Sequence, residues 1–238
     1  MDNPVVLITG ASRGIGRAIA LKFASEGFAC ILAARNREKL EETASLIRNQ
    51  YGSPTLIVPT NLRRDADIDN LASTALAQWG KVDVLVNNAG VLYLKPFLEL
   101  SIEEFDEMMQ VNMRAIFLLT QKILPSMIER KQGTIINIAS LAGKNGFKNG
   151  TGYGASKWAL RGWAASLMME VREHNIRVVT IFPGSVDTDM AGQLPTAPRR
   201  ESMIQPEDIA RAAYLAYALP ERTMLSEIDV RPTNPQKP

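Results

Sequence analysis

Short apolar runs recur along the chain at residues 5–9, 29–34, 55–59, 82–87, 133–139, 176–182 and 225–230. Between them lie longer stretches with apolar residues at helical spacing. Short runs of this kind have the length of buried strands, and the stretches between them have the length of helices. Strands alternating with helices predict an α/β fold: a Rossmann-like, doubly wound parallel sheet of about seven strands flanked by helices. Crossovers in such a sheet are right-handed, and ligands sit outside the strands' carboxyl ends. A length of 238 residues fits one domain, expected to span 1–238. The least regular segment is 184–205, GSVDTDMAGQLPTAPRRESMIQ, before the helix start PEDIA. It is long enough to be a loop that covers a substrate.

Two of the predicted strand ends carry candidate chemistry. After the first run comes the turn TGASRGIG, residues 9–16, followed by an amphipathic helix pattern from Gly16 to Gly27. Glycine permits positive φ and close backbone approach, as a strand-to-helix turn around a pyrophosphate requires. Gly10, Ser12, Arg13, Gly14, Ile15 and Gly16 are therefore candidates to hold a dinucleotide. The spacing is GxxxGxG, and the commoner GxGxxG template fails because Ile19 would stand at its third glycine. The second strand pattern, ACILAAR, ends at Ala34 and Arg35 with no carboxylate beside them. A site selective for NAD places Asp or Glu there, on the ribose 2′-hydroxyl. Arg13 and Arg35 instead suit a 2′-phosphate, which a guanidinium grips bidentately, so the expected cofactor is NADP(H). The competing reading makes Arg35 the solvated start of the helix NREKLEE.

Tyr153 and Lys157 sit four apart in GYGASKWAL, within a stretch that predicts one helix from Tyr153 to about Glu173. Residues so spaced stack on one helix face. A nearby ammonium favours phenolate and lowers a phenol's pKa toward the range useful for acid/base work. Ser140 ends the run TIINIAS and can project from that strand's carboxyl edge toward a substrate oxygen. Alone, a Tyr and Lys four apart would be an ordinary surface pair; the serine and the glycine turn raise it to a catalytic candidate.

Composition narrows the function classes. Lys+Arg number 27 against Asp+Glu 25, with no long basic run, so a nucleic-acid partner is not expected. The chain runs from MDNP straight into the first strand, and no apolar run approaches the length of a membrane span. The expected location is cytoplasmic, with no membrane partner. Cys30 is the only cysteine and His174 the only histidine, so no metal site is expected. Cys30 reads as a small buried hydrophobe and His174 as a favourable contact with a helix end.

The motifs TGASRGIG, NNAG (87–90), Asn112, Ser140, the Tyr153 and Lys157 pair, and PGSVDT (183–188) occur in one order along the chain. In this the sequence resembles the compact branch of the short-chain dehydrogenase/reductase family, and 3-oxoacyl-acyl-carrier-protein reductases in particular. The resemblance implies a catalytic tetrad of Asn112, Ser140, Tyr153 and Lys157. Tyr153 would exchange the proton, and Lys157 would lower its pKa and bind the nicotinamide ribose. Ser140 would orient the carbonyl, and Asn112 would hold a water linking Lys157 to solvent. It implies that Asn88, Ala89 and Gly90 line the adenine-ribose side, while Pro183, Gly184, Val186 and Thr188 hold the nicotinamide end. Many members carry Asp after the third strand; here Asn61 stands there, with Leu62 offering backbone to adenine.

The implied activity is NADPH-dependent reduction of a ketone or 3-oxoacyl group, or the reverse alcohol oxidation, on a small molecule. The ending SEIDVRPTNPQKP departs from the glycine-rich ending common in the 3-oxoacyl enzymes and leaves other carbonyl substrates open. The alternatives are epimerase or dehydratase chemistry and a non-catalytic NADP(H)-binding regulator. The substrate pocket is expected to include Leu92, Tyr93, Leu141, Phe147, Met190 and Leu194. Helices around 103–130 and 153–173 carry apolar residues beyond one core stripe, among them Phe117, Trp158 and Met169. In the family these helices pair two subunits, so a homodimer or homotetramer is implied.

Overall fold

A computed structural model describes residues 3–193 and 200–234. Seven strands form one sheet in the order β3-β2-β1-β4-β5-β6-β7. They are β1 (Val5–Thr9), β2 (Ala29–Ala34), β3 (Thr55–Pro59), β4 (Val84–Asn87), β5 (Gly133–Ile138), β6 (Ile176–Pro183) and β7 (Glu227–Val230). Every neighbouring pair is parallel.

Alternation along each strand sends side chains to two cores. Val6, Ile8, Cys30, Leu32, Val84 and Val86 join one core with α1 (Gly14–Ser25), α2 (Arg37–Tyr51) and α7 (Pro206–Ala218). Val5, Leu7, Ala29, Ile31 and Leu85 join the other with α3 (Asp65–Trp79), α5 (Ala115–Arg130) and α6 (Thr151–Val171). The doubly wound arrangement expected from the apolar runs is the one observed. Two strands, β4 and β5, also pair Asn87 with Asn137 at 3.0 Å inside the sheet, where Asn87 reaches Thr120 of α5.

Some boundaries differ from the sequence pattern for local reasons. β4 starts at Val84, and just before it the Asp83 carboxylate accepts from the Val5 N–H, at 2.8 Å, and from Arg130, at 2.7 Å. That ties the start of two strands to the end of α5. The helix expected over about 103–130 is divided: α4 (Ile102–Met109) passes through a π-helical turn, Gln110–Arg114, before α5 begins. α2 starts where the Asn36 side chain accepts from the Lys39 N–H at 2.7 Å, and it stops at Gly52 in the left-handed region.

An aromatic cluster holds α7 on α1. Phe23 meets Phe28 edge-on at 4.9 Å and Tyr214 at 5.5 Å, and Phe28 meets Tyr217 at 5.0 Å. Phe23 is fully buried. Phe23→Ala would remove the shared partner of three rings, Phe28, Tyr214 and Tyr217, and leave a cavity between helices. The expected loss is about 3–5 kcal/mol in urea unfolding at unchanged m-value. A loss below about 1 kcal/mol would show that α7 is held by something else.

Candidate functional site

The strand order reverses between β1 and β4, and a cavity of about 1000 Å³ opens at their carboxyl ends. The glycine turn forms its floor. Gly10 has φ +69, and a Cβ on Gly16 would lie 2.2 Å from the Gly10 carbonyl oxygen. The first turn of α1 therefore packs directly against the end of β1. Asn88 locks this arrangement by donating through Nδ2 to the Thr9 carbonyl, at 2.9 Å. The Thr9 hydroxyl accepts from the N–H groups of Asn88 and Ala89, at 3.0 and 3.1 Å. Arg13, at the N-cap of α1, makes no side-chain cap, and the first turn holds no acidic residue. The leading N–H groups of α1 thus meet the cavity without a side-chain acceptor, which fits a pyrophosphate at a helix N-terminus. Ser12, Ile15, Gly90 and Val186 line the same cavity.

At one corner the cavity is lined by Ala34, Arg35, Lys39, Asn61, Leu62 and Arg63. Arg35 precedes the Asn36 cap, and Lys39 faces the same corner from the first turn of α2. Among the described residues neither Arg35 nor Lys39 has an ionic partner, whereas Arg63 reaches Glu107 at 3.4 Å. Arg13 also lines the cavity, but its guanidinium is held by Asp189 at 2.5 Å. The two arginines are thus not equivalent: one is unpaired, and the other spans to the loop after β6. Asn61 keeps its amide oxygen on the Arg63 N–H at 3.1 Å, an Asx-type turn that leaves it a second lone pair.

Ser140 sits just beyond β5, and its side chain accepts from the Ala142 N–H at 3.1 Å, opening a 3₁₀ turn, Leu141–Gly143. Gly143 lets this turn lie on α6, since a Cβ there would be 2.8 Å from the Lys157 carbonyl. That contact sets Ser140 beside Tyr153, one turn before Lys157. Both Tyr153 and Lys157 are buried. Burial pushes the Tyr153 phenol up to about 12, against a hydrogen bond with Ser140 that pulls it down. Burial likewise pulls the Lys157 ammonium down to about 8. Lys157 Nζ lies 5.8 Å from the Tyr153 ring centroid and donates to the Ile138 carbonyl at 3.1 Å. Desolvation raises the phenol, and the hydroxyl of Ser140 is the group that opposes desolvation.

Asn112 lies in the π-helical turn, fully buried. Its Nδ2 donates to the Val91 carbonyl at 2.9 Å and to Ser156 Oγ at 3.0 Å, and its Oδ1 accepts from the Val91 N–H at 2.8 Å. Ser156 in turn donates to the Tyr153 carbonyl at 2.8 Å. Both amide protons of Asn112 are thus spent on protein, and its side chain ties the β4 exit to the helix of Tyr153.

The opposite end is lined by Leu92, Leu94, Leu141, Phe147 and Met190, with Pro183, Gly184 and Thr188 nearby. Tyr93 departs from its expected place: it does not line the cavity, its hydroxyl donates at 2.8 Å to Glu107, which does, and Leu94 lines it as well. A carboxylate acceptor on α4 captures the polar tip, and the ring packs beneath. Leu194 lies outside the described residues. The loop 184–205 is pinned at its base, where Val186 bridges Ile204 and backbone bonds join Asp187 to Ile204 and Ile204 to Ser185. Cys30 is buried in β2, with its thiol pushed up to about 12, and His174 ends the 3₁₀ turn after α6, away from this cavity. No helix among the described residues is long and apolar enough to cross a membrane.

A family model described as short chain dehydrogenase matches residues 4–199. An uncharacterised oxidoreductase of Staphylococcus aureus (strain USA300) is 34% identical over 233 residues, covering 98% of each chain. A metagenomic short-chain oxidoreductase solved with NADP is 39% identical, with 97% of each chain covered and a TM-score of 0.86. A 3-ketoacyl-(acyl-carrier-protein) reductase from Brucella melitensis, solved with NADH, is 30% identical, with 98% of each chain covered and a TM-score of 0.89. The chain belongs to the short chain dehydrogenase family of oxidoreductases.

Proposed function

We propose that the protein is an NADPH-dependent reductase that converts a small-molecule ketone or 3-oxoacyl group to the alcohol, with Tyr153 as proton donor, and that also runs the reverse oxidation. The whole chain acts as one dinucleotide-binding and catalytic domain in the cytoplasm. The observation that carries this reading is a single cavity with an uncapped helix N-terminus and unpaired cations at one end. At its other end stand Ser140 and the buried Tyr153 and Lys157. Relatives solved with NADP or NADH support it.

The glycine turn and α1 would hold the pyrophosphate of NADP(H), with Asn61, Leu62, Asn88, Ala89 and Gly90 about the adenine ribose. Arg35, aided by Arg13 and by Lys39, would hold the 2′-phosphate. Pro183, Gly184, Val186 and Thr188 would flank the nicotinamide, which supplies the hydride when bound. The remaining chemistry belongs to the chain. Ser140 and Tyr153 present two hydroxyls to the substrate oxygen and polarise the carbonyl. An alkoxide is far more basic than a phenolate, so a phenol raised by burial still gives up its proton readily to the developing alcohol. Lys157 restores that proton, and Asn112 keeps the helix of Tyr153 in register with the β4 exit. Phe117, Trp158 and Met169, exposed on α5 and α6, would be covered by a second copy in a dimer or tetramer.

Tyr153→Phe keeps the ring and removes the proton. Reduction of ketones should fall roughly 10²- to 10⁴-fold while NADPH affinity is retained. Retention of more than about a tenth of kcat rules Tyr153 out as the acid.

Lys157 yields a pH prediction. Its folded value of about 8 is below the ordinary 10.5, so the unfolded chain binds more protons between those pH values, and stability contributed by this group rises with pH there. Lys157→Met removes the cost of a buried charge. The variant should be inactive yet more stable than the parent below pH 8, with the gap closing by about pH 10.5. A variant less stable than the parent at pH 7 contradicts this.

Cofactor choice separates the two arginines. Arg35→Ala should weaken NADPH binding roughly 10- to 100-fold with NADH little changed, since hydrogen bonds to charged groups contribute about 1.5–3 kcal/mol. Arg13→Ala should do less, because Asp189 already occupies that guanidinium. Ala34→Asp should turn the preference toward NADH. Comparable kcat/KM for both cofactors in the parent would return Arg35 to the solvated helix start.

A further inference from the structure

We propose that Arg231 selects substrates whose carbonyl is joined by a short apolar chain to a carboxylate, so that the preferred substrates are oxo acids. This rests on the reductase reading above and names its substrate class.

Topology puts Arg231 on the reacting side of the sheet. β5, β6 and β7 are successive parallel neighbours. The Ala139 N–H donates to the Ile181 carbonyl at 2.8 Å, and the Gly184 N–H donates to the Val230 carbonyl at 2.8 Å. Ser140 and Arg231 therefore leave the same edge two strands apart, about 10 Å at ordinary strand spacing. The segments that follow converge. The position of a Gly184 Cβ would be 3.1 Å from Pro232 and 3.4 Å from Leu141. Leu141 adjoins Ser140, and Ser140, Leu141, Gly184, Arg231 and Pro232 all line the one cavity.

Charge then distinguishes Arg231 from every other cation there. Among the described lining residues, Arg13, Arg35, Lys39 and Arg63 belong to the nucleotide end, and Lys157 is buried beside Tyr153. Arg231 is the cation at the far end. The lining carboxylates near it are spoken for: Asp187 faces Arg200 at 3.5 Å, and Asp189 holds Arg13. Asp229 is engaged chiefly by Lys144, at 2.6 Å, and takes a single contact from Arg231 at 3.2 Å. A guanidinium has five N–H donors, so most of Arg231 is left to receive an anion bidentately. Leu92, Leu94, Leu141 and Met190 line the same cavity and supply apolar surface suited to methylene groups. The Arg231 side chain is 55% exposed, so water screens the pairing and the preference is moderate.

The test compares kcat/KM of the full chain with NADPH on 4-oxopentanoate and 5-oxohexanoate against their neutral methyl esters. The parent should favour the acids by roughly tenfold, expressed in KM. Arg231→Ala should erase that preference by losing activity on the acids alone, Arg231→Lys should keep part of it, and Arg231→Glu should invert it. Unchanged melting temperature and NADPH binding show that the variants are folded. Equal losses on acids and esters, or a parent that prefers the esters, overturns the assignment while leaving the reductase reading intact. Failure to turn over acids and esters alike overturns the assignment, and the reductase reading falls with it only if a wider panel of ketones and 3-oxoacyl esters is not reduced either.

Discussion

The first turn of α1 can reach the end of β1 only because neither Gly10 nor Gly16 carries a side chain. A methyl group on Gly16 would overlap the Gly10 carbonyl at 2.2 Å and the Asn88 amide at 2.5 Å. Much of the site follows from that contact. It aims the N-terminus of α1 at the crevice between β1 and β4, where the order of the sheet reverses. It also brings Asn88, at the exit of β4, within reach of the Thr9 carbonyl, while the Thr9 hydroxyl takes two N–H groups from the same exit. One side chain from each strand thus fixes the width of the crevice. Residues that leave β4 later, Gly90 and Val91, are delivered to Asn112 and hence to the helix of Tyr153.

At the reacting end the governing effect is desolvation. It acts on both members of the Tyr153 and Lys157 pair and favours the neutral form of each, so it raises one and lowers the other. A simple spacing argument counts only the attraction between ammonium and phenolate. In the fold, Lys157 spends a donor on the Ile138 carbonyl, and its Nζ sits alongside the Tyr153 ring. Ser140 is the partner that reaches the phenol. A neutral phenol suits proton donation to a reduced carbonyl, and the reverse oxidation asks for the costlier phenolate.

The strands were legible because each is a short apolar run, and the fold class followed from their alternation with helices. The glycine turn, Ser140, Tyr153 and Lys157 were legible because their spacing is local. Less visible were residues whose role depends on contacts distant in sequence. Lys39 faces the Arg35 corner only because Asn36 caps α2 there; an Asn followed three residues later by Lys at a helix start was the available signal. Gly143 and Ser156 matter through contacts with Lys157 and Asn112 that no run of residues announces. The π-helical turn at Asn112 is a change of backbone register that apolar periodicity cannot display. Tyr93 is absent from the cavity lining because its ring packs with the Met108, Ala142 and Tyr153 cluster, while its hydroxyl goes to Glu107, fourteen positions away.

The loop after β6 is held by two kinds of contact of very different strength. Its base is tied by backbone hydrogen bonds between Ser185, Asp187 and Ile204, which order the chain on both sides. Farther along, Asp189 reaches the glycine turn through Arg13, a pair whose side chains are 60% and 71% exposed. Exposed pairs of this kind contribute about 0–1 kcal/mol. A phosphate bound by Arg13 would therefore compete against a weak partner, and the loss of the Asp189 contact would cost the fold little. By the same arithmetic Arg35 and Lys39, which have no such partner among the described residues, would be the better carriers of cofactor preference. Phosphate binding there disrupts no existing ion pair, so the full interaction can appear as affinity.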